Sequence, residues 1–194
     1  MEYARALRSN LEASILAKQS LLADQAQMAV FSAVVNEVVS RYRNGGRLYI
    51  AGNGGSAADA QHLACEFVVR LARDRASLPA EALTVDSSIL TAISNDYGFE
   101  HVFARQLAGK ATDRDLFLAI STSGDSPNII KALEQCRSMG LPGILLTGRD
   151  GGKAKALADF VIVAPGDATS TIQEVHMVLY HTLCECVEAA ICYA

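Results

Sequence analysis

The sequence has no excess of positive charge: 17 Lys and Arg stand against 21 Asp and Glu, a net −4. That argues against a binder of nucleic-acid backbones, which presents a basic face. It leaves small anionic ligands open, because a local pocket can be positive on an acidic protein. There is no C-x-x-C, and the cysteines number an odd five: Cys65, Cys136, Cys184, Cys186 and Cys192. Structural zinc-thiolate sites use paired cysteines at close spacing. These read instead as free, buried thiols of a reducing cytoplasm. The opening MEYARALRSNLEASILAKQS lacks the apolar h-region of a signal peptide. No apolar run approaches the roughly 20 residues of a membrane span. The expectation is a cytoplasmic protein with neither membrane nor nucleic acid as partner. Internal repeats, low-complexity tracts and long linkers are also missing. A chain of 194 residues, 51% hydrophobic and 20% charged, then reads as one packed domain over 1–194 with a helical appendage.

What is present is alternation. Residues 2 to 44 read as two helices: Leu7, Leu11, Ile15 and Leu22 recur near helical spacing, then Val30, Val34, Val35, Val38 and Val39. Asn44-Gly45-Gly46 supplies the C-cap chemistry that ends the second. The apolar face of this pair, residues 1–45, needs cover from the domain or from another subunit. Beyond it, strand-like runs at 47–52, 81–86, 115–121, 143–148 and 160–165 alternate with helical segments. Those segments are 57–72, 88–109 (broken at 95–98), 127–139, a short 152–158, and 171–191. Five short apolar runs separated by helices predict βαβ units. The fold class is α/β: a three-layer αβα sandwich on a five-stranded parallel sheet, with an N-terminal helical extension. Ligands of such sheets bind beyond the carboxyl ends of the strands. That points to the loops 52–56, 86–88, 121–126, 148–152 and 166–170.

Two of these loops suit an anion. Gly52-Asn53-Gly54-Gly55-Ser56 follows the first strand and opens a helix. Glycines let backbone N–H groups approach an anion, and the helix N-terminus adds about half a positive charge. No Gly-Lys-Ser/Thr follows, so it is not a Walker A loop. Ala57 stands where a dinucleotide fingerprint has its last glycine. The second loop, Ser121-Thr122-Ser123-Gly124-Asp125-Ser126, places four hydroxyls at a strand's end. Ser126 before Pro127 also reads as an N-cap and first-turn pair, which explains one hydroxyl and leaves three. A neutral nest of hydroxyls and amides suits a sugar monophosphate, which must leave after reaction.

His62 and Glu66 are four apart on the helix that the first loop opens, so they share a face. That spacing fits a metal site or a proton-transfer pair, and equally a plain surface hydrogen bond. The last helix adds Gln173, His176 and His181. Gln173 and His181 are separated by about 12 Å of rise and about 80°. They reach one metal only if Gln173 points down the axis from the helix start and His181 leans back; otherwise they serve different subunits. His176 fits the apolar pattern and reads as structural.

The motifs GNGGSAADAQH (52–62), AISNDYGFE (92–100), AISTSGDSPNI (119–129), LTGRDGG (146–152) and IQEVHMVLYH (172–181) occur in this order. Carrying them, the chain resembles the flavodoxin-like sugar isomerase (SIS) domain family, and within it the phosphoheptose isomerases. The resemblance implies a homotetramer with active sites at subunit interfaces. It implies substrate contacts from Asn53, Gly54, Gly55, Asn95, Asp96, Ser121, Thr122, Ser123, Ser126 and Gln173, with Ser56 on the phosphate and Arg70 near the substrate. It implies one zinc per subunit, held by His62, Glu66, Gln173 and His181, with Glu66 as base and His181 as acid partner. The implied reaction converts sedoheptulose 7-phosphate to D-glycero-D-manno-heptose 7-phosphate through an enediol. That is the first step toward nucleotide-activated heptose for lipopolysaccharide or capsule. Two other readings belong beside it: a non-catalytic SIS tetramer that binds a replication initiator, and an isomerase of another sugar phosphate. The presence of all four metal and acid-base side chains favours the heptose enzyme.

Overall fold

The computed structural model describes residues 2–192. Helices α1 (Glu2–Ala23) and α2 (Gln25–Arg43) form the N-terminal pair. Asp24 separates them, its carboxylate accepting the Gln27 N–H as the N-cap of α2. Asn44 caps the far end, and Gly45 turns left-handed at φ 74°.

The chain then alternates through β1 (Leu48–Gly52), α3 (Gly55–Val68), β2 (Ala80–Ala82), α4 (Ser87–Tyr97) and α5 (Ala104–Lys110). It continues through β3 (Leu116–Ser121), α6 (Pro127–Met139), β4 (Gly143–Gly148), β5 (Phe160–Ala164) and α7 (Thr169–Cys192). The strands are parallel in the order β2-β1-β3-β4-β5. Period-2 alternation divides their side chains. Leu48, Ile50, Leu116, Leu118, Ile120, Ile144 and Leu146 face α2, α3 and α7. Tyr49, Ala51, Phe117, Ala119 and Leu145 face α5 and α6. The order reverses between β1 and β3, which are neighbours although β2 lies between them in sequence. That reversal is the topological switch point, where such sheets open a crevice.

Some predicted elements changed length. The strand expected over 81–86 pairs only over three residues, at the sheet edge, because Asp86 already caps α4 by accepting the Ile89 N–H. The helical stretch 88–109 divides at Gly98 (φ 95°), as its break foretold. The short helix expected over 152–158 is a single 3-10 turn, Lys153–Ala156, because it starts from two left-handed glycines and β5 follows closely. In α1, Ser14, Ala17 and Leu21 pack inward, whereas Leu7, Leu11 and Ile15 remain 62%, 54% and 54% exposed.

Helix α7 is long and apolar enough to cross a membrane, with a mean hydropathy of 1.2. It lies instead in the core, with His176 and Glu188 among its buried residues. His176 is fully buried, and its Nε2–H donates to the Thr147 carbonyl at 2.9 Å, while Nδ1 has no partner among the described residues. Burial pushes its pKa down from 6.5 to about 4, against the smaller upward pull of that carbonyl. The unfolded chain therefore takes the proton first. Stability should be full above pH 6.5 and fall as the pH drops toward 4, by at most about 3 kcal/mol from this residue. Urea unfolding across this range checks it: His176→Gln, which keeps a donor for Thr147, should flatten the decline. An equally steep decline in the variant would assign it elsewhere.

Candidate active site

The loops after β1 and β3 flank the switch point, and their side chains meet there. Gly52 is required because a Cβ would lie 2.4 Å from the Ser56 backbone oxygen. Gly54 takes φ 56°, and the turn closes through Ser56 N–H to Asn53 O at 3.0 Å. Ser56 is thereby buried at the first turn of α3. In the second loop, Gly124 (φ 68°) packs so closely on residue 151 that a Cβ would meet the Gly151 oxygen at 1.9 Å. Ala154 N–H donates to Gly124 O at 2.9 Å, and Lys153 N–H to Asp125 Oδ1 at 3.1 Å. These bonds tie the 121–126 loop to the 148–152 loop.

Asn53 and the buried Asn128 bind each other through reciprocal amide bonds of 2.9 and 2.8 Å, joining the first loop to α6. Ser126 stands at the N-cap position before Pro127, yet its hydroxyl makes no capping bond. It approaches the Ser121 hydroxyl at 3.4 Å instead. So the one hydroxyl that capping would have used is also available to the pocket.

The result is a pocket of about 170 Å³ lined by Asn53, Gly55, Ser56, Ser121, Thr122, Ser123, Ser126, Thr169 and Gln173. That is room for roughly six waters, the scale of a phosphate rather than of a whole sugar. Its walls are hydroxyls and amides, with the N-termini of α3 and α7 beside it. A wider cleft of about 480 Å³ lies among Glu37, Arg137 and Asp159. It opens at the amino end of β4 and β5, the edge that parallel sheets do not use for ligands.

The second half of the site lies further along α3. His62 Nε2 is 3.0 Å from Glu66 Oε1, and His181 Nε2 on α7 is 3.5 Å from His62 Nε2. The two rings meet edge to face, with centroids 4.9 Å apart. Donor atoms of His62, Glu66 and His181 all lie within 4.8 Å of one another. Neighbouring ligands of a tetrahedral zinc stand about 3.3 Å apart, given bonds of 2.0–2.1 Å. Two separations here, 3.0 and 3.5 Å, bracket that value. Two imidazoles and a carboxylate are zinc's usual donors, so the set fits the ion once the widest gap draws in.

Not every predicted residue joins these two clusters. Gln173 sits in the phosphate-sized pocket, where a Cβ on Gly55 would lie 2.4 Å from its Nε2. Asn95 and Asp96 end α4, exposed and hydrogen-bonded to each other at 2.8 Å. Arg70 is exposed just past α3, its guanidinium reaching the Ala72 carbonyl at 3.4 Å. Thr169 was missed; the hydroxyl run Thr169-Ser170-Thr171 at the start of α7 was the available signal. Asn128 was missed as well, because nothing in sequence marks a buried amide as the partner of Asn53.

The SIS-domain family model matches residues 12–148. The phosphoheptose isomerase of Aneurinibacillus thermoaerophilus is 49% identical over 185 residues, covering 95% of this chain and 93% of that protein. Two solved structures share the fold over nearly the whole length. The phosphoheptose isomerase of Neisseria gonorrhoeae superposes with a TM-score of 0.85 at 37% identity, covering 97% of both chains. That of Francisella tularensis superposes with a TM-score of 0.91 at 35% identity, covering 96% of this chain and 98% of its own.

Proposed function

The chain belongs to the SIS-domain family and, within it, to the phosphoheptose isomerases, and we infer that it interconverts sedoheptulose 7-phosphate and D-glycero-D-manno-heptose 7-phosphate. It is a sugar-phosphate isomerase of heptose biosynthesis. The observation that carries the reading is the pairing of a phosphate-sized hydroxyl pocket with an acid-base cluster along one helix, α3. Ser56 and His62 are six residues apart, a rise of about 9 Å. An open-chain sugar phosphate would lie along that helix, its phosphate at Ser56, Ser121, Thr122, Ser123 and Ser126 and its carbonyl end at Glu66 and His181.

The chemistry needs a proton taken from C1 and returned to C2 through an enediol, with the two oxygens exchanging a proton in step. A carboxylate and an imidazole are suited to these roles at neutral pH. Glu66 is the base that carries the carbon proton. His181 serves the oxygens as acid and then base. Glu66 Oε1 faces His62, which leaves Oε2 for the proton. A zinc ion at His62, Glu66 and His181 would supply Lewis-acid polarisation of the carbonyl.

Gln173, Asn95, Asp96 and Arg70 complete the site in the assembled protein, a homotetramer with active sites at subunit interfaces. The exposed face of Leu7, Leu11 and Ile15 supports that assembly, with residues 1–45 packing against other subunits. Five unpaired cysteines suit a reducing cytoplasm, and the product feeds nucleotide-activated heptose for lipopolysaccharide or capsule.

The experiment is isomerisation of sedoheptulose 7-phosphate by the purified protein, with a chelator and with zinc restored. Turnover lost on chelation and regained with zinc supports substrate and metal together. A folded tetramer with no turnover under any condition overturns the reading, in favour of another sugar phosphate or a partner-binding role. Ser123→Ala should raise KM roughly ten- to a hundredfold with kcat little changed, the worth of one hydrogen bond to a charged group. An unchanged KM would place the phosphate elsewhere.

A further inference from the structure

The two loops of the phosphate-sized pocket follow strands that meet at the switch point, and one pair of side chains bridges them. Asn128, in the first turn of α6, is only 2% exposed. Its Nδ2 donates to Asn53 Oδ1 at 2.8 Å, and its Oδ1 accepts from Asn53 Nδ2 at 2.9 Å. Asn53 lines the pocket, and Asn128 stands behind it, closed to solvent.

Two reciprocal bonds fix an amide where one would not. A primary amide offers one oxygen and two N–H groups. Turning over the Asn53 amide alone would set its NH2 against that of Asn128 and its oxygen against the other oxygen. Both bonds would be lost, and the buried Asn128 would keep unpaired polar groups at the cost of their desolvation. Asn53 therefore holds its orientation as long as Asn128 holds its own. The pairing spends one Asn53 N–H. The second N–H has no side-chain partner among the described residues, and it belongs to the wall of a pocket lined by hydroxyls. The Asn53 backbone is fixed as well, because its carbonyl accepts the Ser56 N–H at 3.0 Å. On the other side, Asn128 follows Ser126 by two residues, and Ser126 Oγ meets Ser121 Oγ at 3.4 Å. The pair thus sets the spacing between the Ser56 side of the pocket and the Ser121–Ser126 side. Two paired amides add little stability over an apolar contact of the same shape, so what the pair supplies is position.

We propose that Asn128 is a positioning residue for phosphate binding, holding the Asn53 amide so that its spare N–H serves the phosphate and keeping the two loops at the width of that anion. The inference deepens the reading of this pocket as the phosphate end of the substrate site and rests on it. Asn128 itself touches no substrate. Its effect passes through Asn53, so it is bounded by what the loss of the Asn53 side chain costs.

The test is a double-mutant cycle on the full-length protein. Inorganic phosphate is the probe, its Kd read by titration calorimetry, beside KM and kcat for sedoheptulose 7-phosphate. Asn128→Leu keeps the shape and removes both bonds. It should raise the phosphate Kd and the KM about tenfold, within the worth of one hydrogen bond to a charged group, and lower kcat less than about threefold. Asn53→Ala should do at least as much. The double variant should do no more than Asn53→Ala alone, because the residue through which Asn128 acts is gone. Asn128→Asp is the second variant, of equal size; it cannot donate to Asn53 Oδ1 and should raise both constants too. A packing role alone would lower the urea midpoint, leave the Kd of the folded protein unchanged, and add to the effect of Asn53→Ala. Unchanged Kd and KM in the folded variants, or an Asn128→Leu effect that adds in full to that of Asn53→Ala, overturns the proposal. Phosphate binding that depends on Asn128 in a protein that does not turn over the heptose would uphold the positioning pair and overturn the heptose reading instead. A native protein that binds no phosphate would overturn the reading of the pocket and the proposal with it.

Discussion

Glu66→Gln should leave a folded protein whose kcat is about 10²- to 10⁴-fold lower, with KM little changed. The magnitude is that of a positioned general base. Folding should survive because the side-chain contact found for Glu66 is the 3.0 Å approach to His62 on the same helix. An amide of equal size can keep that contact. The Glu66 backbone carbonyl, which does hold structure, is untouched by the change. Catalysis should not survive, because an amide cannot accept the C1 proton. In the proposed site Glu66 is also a zinc donor, so turnover is measured at saturating zinc with the bound metal counted. A loss at full metal occupancy belongs to the proton transfer. Near-normal turnover at full occupancy would remove Glu66 as the base.

What the sequence made legible was punctuation and period. Helix α6 runs over 127–139 as expected because Pro127 starts it and Gly140, in the left-handed region at φ 66°, stops it. The two anion loops were legible because glycines and hydroxyls at a strand's end have few other uses. Their convergence was not, since it depends on β1 and β3 becoming neighbours across the switch point. The pair His62 and Glu66 could be placed on one face from spacing alone. His181 joins them only because α7 crosses α3 there, and no local pattern encodes a crossing. Gln173 shows the same limit from the other side. Its helical offset from His181 left two destinations open, and in this chain it enters the phosphate-sized pocket. Nothing local marks Tyr180, whose hydroxyl meets Asp59 and His62 only because α7 packs on α3. The stripe Leu7, Leu11 and Ile15 was legible as apolar, while the inward face proved to be Ser14, Ala17 and Leu21. Periodicity shows that a face needs cover and does not say whose.

Arg75→Met should cost about 3–5 kcal/mol of stability, the loss expected when one partner of a buried ion pair is removed. Arg75 lies in the loop after α3, and its side chain is 1% exposed; that of its partner, Glu188 of α7, is 4% exposed, with N and O 2.6 Å apart. The guanidinium also donates to the Glu66 and Phe67 carbonyls at 2.7 Å each, and to Ala76 O at 3.0 Å. Two of these are carbonyls of the last turn of α3, which the helix itself cannot satisfy. Without Arg75 they lose this partner, and Glu188 keeps only the Leu71 N–H at 3.0 Å. Glu188 loses its countercharge and the Glu66 carbonyl loses this donor, while Phe67 O still accepts the Leu78 N–H at 3.1 Å; an uncompensated buried charge still costs more than an exposed pair, which is worth at most about 1 kcal/mol. Urea unfolding at fixed protein concentration measures it, since assembly would otherwise shift the midpoint. Arg75→Lys should fall between, because a point charge cannot span Glu188 and two carbonyls at once. Combining Arg75→Met with Glu188→Leu should recover much of the loss, because the stranded charge is gone and only the guanidinium's bonds to the carbonyls stay lost. A single variant that loses less than about 1 kcal/mol would show that water reaches the pair. A full loss in Arg75→Met would mean that the same guanidinium fixes the end of α3 against α7. It would then support the packing of α3 on α7 from behind, with Glu188 two turns beyond His181.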